Sequence, residues 1–185
     1  MKRWVLIIVF FAGISQILFA QNEENRIYWS EDYSLQWTDF DMLPERFSDY
    51  AAFSVTGFNS EYEFTKDQYK VEILTFFDKS KSWSQSWTSI LLLHEQGHFD
   101  FAEVYARKFR KRVKEEMIAN TIDPDKFEEI NDDIISELEE AQLEYDQATN
   151  LSMNYRAQLE WTSRILEQLE ALKEYANPLI IIERP

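Results

Sequence analysis

Glycine and proline break regular structure, and the second half of this chain has almost none. Between residues 84 and 176 the only glycine is Gly97 and the only proline is Pro124. Apolar residues recur there at intervals of three and four, so long amphipathic helices are expected. The spacing predicts a first helix over 86–119, a break at "NTIDPD", a second helix over 126–148 and a third over 154–175. Asp123 is a suitable N-cap, with Pro124 at the first helical position, where its missing N–H costs nothing.

The first half reads differently. "YSLQWTDF" alternates Tyr33, Leu35 and Trp37, and "AAFSVTGF" puts Phe53 and Val55 on one side, both strand patterns. The clearest hairpin enters through Tyr62 and Phe64, turns over 65–68 and leaves through Tyr69, Val71, Ile73, Thr75 and Phe77. The expected fold is α+β: a small antiparallel sheet, then a long helix, an antiparallel second helix and a third. One domain over 31–185 is expected, strand-rich over 31–80 and helical over 81–175. The tail over 176–185, "NPLIIIERP" from Asn177, could add a strand, but simple core packing is the expectation.

Residues 1–20 stand apart. Lys2 and Arg3 precede an apolar run ending on Ala20, the layout of a secretory signal cleaved before Gln21. An uncleaved anchor is the alternative, but Gly13, Ser15 and Gln16 interrupt the run. A polar lead over 21–30 follows. With no cysteine the chain has no disulfides and no lipid-attachment cysteine, which suits a bacterial periplasm or the medium. Loss of Lys2 and Arg3 makes the formal net charge of -15 two units more negative. Such a surface repels nucleic acid and anionic lipid, so neither is an expected partner. The basic run "RKFRKRVK" from Arg107 is expected to serve a helix C-terminus and face the acids of the second helix, among them Glu137.

The first helix carries "HEQGH" from His94, which includes the only two histidines of the chain. Residues four apart on a helix differ by about 40°, so His94 and His98 can aim at one point. Glu95 lies about 100° round, at the flank, where it can reach a metal-bound water. That is a zincin arrangement: two histidine ligands for Zn²⁺ and a glutamate as general base. Gly97 costs about 1 kcal/mol inside a helix, which a close backbone approach would justify.

Several ordered segments resemble a bacterial family of predicted secreted Zn-dependent proteases, known as domain of unknown function 922. They are "LQWTDF" at 35–40, "DYAAFSVTGF" at 49–58, "FFDKSKSW" at 76–83, "LLHEQGHFDFAEVYARK" at 92–108 and "YDQATNLSMNYRAQLEW" at 145–161. The resemblance implies a zincin-like domain, zinc as cofactor and a peptide or protein substrate. It also exposes a departure. The family carries a histidine two residues after its threonine, a third metal ligand, and here Thr149 is followed by Asn150 and Leu151.

If the first two helices form a hairpin turning near 122–123, position 151 lies level with His94, and leucine there cannot bind metal. A third protein ligand must then be a carboxylate. Asp100 and Glu103 point away from the histidine face and suit the helix surface or a supporting shell. Glu144 shares the phase of 151 but sits about 10 Å along the axis, while Asp146 is nearer in height and about 140° off phase. Glu160 enters only if the third helix folds back. Tyr145 and Tyr155 could donate to an oxyanion, although buried tyrosines more often serve packing. Tyr105, Trp83, Trp87 and Trp161 are expected to pack.

Three functions follow. One is an exported zinc peptidase using His94, His98 and Glu95. Another is a zincin that has lost catalysis at Leu151 and acts as a binding or scaffold module. The third is a purely structural acidic domain in which the motif never binds metal. Oligomeric state leaves no mark in the sequence.

Overall fold

The computed structural model describes residues 24–44, 48 and 50–184. The leader expected over 1–20 lies outside the described residues. Within them, no helix is long and apolar enough to cross a membrane.

The architecture is mixed α+β. Strands β1 (Arg26–Tyr28), β3 (Thr56–Phe64), β4 (Gln68–Asp78) and β6 (Leu179–Glu183) form one antiparallel sheet. Strands β2 (Ala52–Phe53) and β5 (Trp83–Ser84) form a separate two-stranded ladder. Three helices follow: α1 (Ser89–Ile118), α2 (Pro124–Thr149) and α3 (Tyr155–Ala171). Strand β4 is the spine. It pairs along its length with β3, from Thr56↔Phe77 to Phe64↔Tyr69. Its other edge is shared end to end by β1 at 76–78 and β6 at 68–72.

Alternation in β4 does what the pattern requires. Tyr69, Val71, Ile73, Thr75 and Phe77 are all buried on one face. That face packs on α1, where Phe99 meets the Phe77 ring and Glu103 accepts from Thr75. Helices α2 and α3 cover α1 from the other side with Ile134, Leu138, Ile165 and Leu169. The middle of α1 is therefore enclosed on nearly every side: from Phe99 to Arg110 only Asp100 and Lys108 escape full burial. Each helix begins on a side-chain cap. Thr88 accepts from Leu91 N at 3.3 Å, Asp123 from Lys126 N at 2.8 Å and Asn154 from Ala157 N at 3.2 Å.

Several sequence expectations are corrected. The segment with Tyr33, Leu35 and Trp37 is irregular and ends in a 3₁₀ turn over Trp37–Asp39. Asp39 accepts from Gln36 N and from Tyr33 Oη, both at 2.8 Å, which holds the turn. Burial first, and then the Asp39 carboxylate, push the tyrosine pKa up to about 12. Leu35 is buried with Phe77 and Phe99, and its N–H donates to Gln96 rather than to a ladder. Second, Arg26–Tyr28, expected in a polar lead, is β1. Third, Phe53 and Val55 do not share a strand. Val55 sits in the break between β2 and β3, where its N–H donates to Ser82 Oγ and its carbonyl accepts from the N–H of Asp78.

The fourth is the tail, which docks as β6 with Ile182 opposite Tyr69. Gln68 on β4 donates to Glu183, and Arg184 lies over the Tyr69 ring. Trp87, expected to pack, is 73% exposed, whereas Trp83 and Tyr105 are buried. Trp161 packs on Phe101 and Tyr145.

Candidate metal centre

His94 and His98 sit one turn apart near the start of α1, with the Nε2 atoms 3.3 Å from each other. Asp146, from the last turn of α2, puts Oδ1 3.1 Å from both. These three residues form the only group of candidate metal-ligating side chains among the described residues. Four ligands at 2.0–2.1 Å in a tetrahedron lie about 3.3 Å apart. The His–His–Asp triangle thus has the dimensions of one tetrahedral face.

The protonation pattern leaves a lone pair of His94 in that triangle. Gln158, fully buried on α3, donates its amide to Tyr145 Oη at 2.6 Å, and its Oε1 lies 3.1 Å from His94 Nδ1. An amide oxygen can only accept, so His94 carries its proton on Nδ1 and offers Nε2 as a base. A ring proton held by an outer carbonyl is how metal-binding histidines are oriented. Asp146 Oδ1 is buried without a hydrogen-bond partner despite its two close nitrogens. A buried carboxylate oxygen facing two imidazole nitrogens is a donor set that a cation would satisfy. Burial disfavours the Asp146 charge, but the two histidines outweigh it and hold the carboxyl well below the usual range. Burial likewise opposes a charged His98, yet Asp146, Glu95 and Gln142 raise its pKa.

Tyr145 forms the floor. Its ring stacks on His94 at 4.7 Å and 19°, and its hydroxyl donates to the His94 carbonyl at 3.2 Å. Burial first, then the nearby carboxylates, push its pKa up against the Gln158 hydrogen bond. With the proton committed and the side chain fully buried, Tyr145 packs the site and has no donor to spare for an oxyanion. Gly97 faces this ring, and a Cβ there would fall inside the tyrosine hydroxyl. The close approach the glycine implied is that of Tyr145.

Glu95 is buried at the flank and accepts from Ser54 Oγ at 2.5 Å, a bond from the loop between β2 and β3. It lines a cleft of about 520 Å³ together with His94, His98 and Asp146. Tyr50 and Phe53 stand in one wall and Leu151 and Met153 in another.

The remaining candidates go elsewhere. Glu144 is exposed and outside the cluster. Tyr155 is 63% exposed and does not line the cleft. Glu160 pairs with Arg156 in solvent. Asp100 holds Trp29 Nε1 at 2.9 Å and Gln96. Glu103 is not a surface residue: it is buried between Arg107 and Arg110. Those two arginines therefore pair within α1, and only Arg112 of the basic run meets an acid of α2, Glu137.

The expected phases of Leu151 and Asp146 need correction. Helix α2 ends at Thr149, and Leu151 follows in a left-handed conformation, so it has no helical phase. The inward face of α2 runs through Leu138, Tyr145 and Thr149, and Asp146 flanks it beside Tyr145. Gln158 and Ser54 were not singled out from sequence. Gln158 falls inside the segment that carries the family resemblance, which is the one signal that marked it.

The fold and site define an α+β protein with a His–His–Asp cluster between its first two helices. The sequence profile described as "Bacterial protein of unknown function (DUF922)" matches residues 58–154, over half of the chain, and the protein belongs to this family. The matched span contains both histidines, Glu95, Asp146 and Leu151. No curated protein and no solved structure matches the chain.

Proposed function

We propose that the protein is an exported zinc-dependent peptidase, zincin-like in design, with His94, His98 and Asp146 as ligands and Glu95 as general base. The observation that carries this reading is the donor triangle with 3.1–3.3 Å edges, one corner an orphaned carboxylate oxygen. The triangle opens on a cleft that also holds Glu95. Zinc bound there would bring a water to a pKa of about 7 and polarise a carbonyl.

The chain's own residues do the rest. Glu95 takes a proton from the attacking water and returns it to the leaving amine. Ser54 fixes one oxygen of that carboxylate, leaving the other, which has no partner among the described residues, for the water. Gln158 keeps the His94 proton on Nδ1, and Tyr145 holds the ring flat. Leu151 had suggested a lost ligand and a binding module without catalysis. Asp146 supplies a third donor without it, which favours the enzyme.

The test is direct. Protein purified without chelator is assayed for zinc, and unstructured polypeptide is offered to wild type and Glu95→Gln. One zinc per chain with cleavage lost in the variant supports the proposal. Zinc without cleavage in either, or no zinc at all, removes the enzyme and leaves the binding or scaffold module.

A further inference from the structure

Asn150, Leu151 and Ser152 have φ of 49°, 51° and 73°, three successive non-glycine residues in the left-handed region. Asparagine is at home there as a helix terminator, but a leucine is not. The turn is held by main-chain bonds: Leu151 N to Asp146 O at 3.0 Å, Met153 N to Asn150 O at 3.0 Å and Asn154 N to Thr149 O at 2.8 Å. The first ties Leu151 to the main chain of Asp146, so the cleft wall and the third donor are one piece. Backbone strain kept beside a site calls for a use.

What the strain delivers is apolar surface. Leu151 is 42% and Met153 81% exposed, and both line the cleft. Across it Tyr50 and Phe53 are 55% and 50% exposed. Four large apolar side chains in water around a buried polar cluster suit an occupant with an apolar group of its own. The ladder beside them suggests that the occupant has a peptide backbone. Gln85 N donates to Ala51 O at 2.9 Å, which makes the neighbouring Ala52↔Ser84 pair the non-hydrogen-bonded kind. The N–H and C=O of Ala52 thus point away from β5, with no partner among the described residues, and Ala52 lines the cleft.

We propose that Leu151 and Met153 form a specificity subsite for a large aliphatic or aromatic side chain of an extended peptide. This rests on the peptidase reading for its setting, but binding tests it without turnover. Hexapeptides identical except for a central Leu, Phe or Asp are titrated by calorimetry into zinc-loaded Glu95→Gln. Each titration is repeated with Leu151→Asn or Met153→Ser added.

The Leu and Phe peptides should bind about tenfold or more tightly than the Asp peptide. Leu151→Asn should cut that preference to about threefold or less with zinc content unchanged. Its melting temperature should hold or rise, because asparagine tolerates the left-handed backbone. Met153→Ser, at an exposed site, should weaken the preference without touching the turn. Equal binding of all three peptides, no binding, or a preference that survives both substitutions overturns the proposal. Preference without cleavage by wild type would instead overturn the peptidase reading and leave the subsite standing.

Discussion

Two buried polar clusters lie on α1, and they differ in whether they are complete. Glu103 accepts from Arg107 Nε at 2.8 Å, Arg110 Nη1 at 2.9 Å and Thr75 Oγ1 at 2.7 Å. The guanidinium groups go on to the carbonyls of Leu169, Ile73 and Tyr175. Strand, helix and tail are tied there with no oxygen of Glu103 left over. About two turns earlier, His94, His98 and Asp146 converge with edges of 3.1–3.3 Å, and Asp146 Oδ1 has no hydrogen-bond partner. Buried polar groups are normally satisfied, so the full cluster reads as a joint in the fold, and the other as the donor set on which the proposed function rests.

The contrast can be broken in order of effect. Glu103→Ala strands two buried guanidinium groups and should cost about 3–5 kcal/mol in urea unfolding. Unchanged stability would remove the distinction. Glu95→Gln should do the reverse. Hydrolysis should fall by about 10²–10⁴-fold in an assay with polypeptide substrate, with the unfolding midpoint nearly unmoved. Gln158→Met frees the His94 tautomer, so zinc affinity by competition with a chelator should drop about 10–100-fold. Ser54→Ala should lower kcat by about tenfold or less with KM unchanged, and Ser54→Thr should restore it. A larger effect on zinc content than on kcat would make Ser54 part of the ligand support instead.

Much of this was legible in the sequence. Helical spacing gave α1 to α3 within a few residues, because caps such as Asp123 with Pro124 are local chemistry. The histidine pair and Glu95 were legible for the same reason, since one turn of helix fixes their relation. What failed depended on distant partners. Leu35 alternates with its neighbours but is buried by Phe77 and Phe99, and Asp39 keeps its segment out of a ladder. Glu103 and Arg110 look like surface residues on any helical wheel, and only enclosure of α1 on all sides makes them interior. Asp146 was weighed against a leucine assumed to continue α2, whereas the helix stops at Thr149. A wheel drawn through Leu138, Tyr145 and Thr149 would have placed it better.

The docking of β6 bears on how the chain acquires its shape. Residues 68–72 find their second neighbour only in 179–183, and Gln68 and Glu183 are 115 positions apart. A polypeptide emerging from its amino end therefore holds half of β4 as an open ladder until residues 179–183 arrive. Throughout that wait Val71 and Ile73 border an unsealed flank, available to any passing strand. Late closure of this seam, rather than assembly of the histidine turn, is then the step most exposed to misassociation.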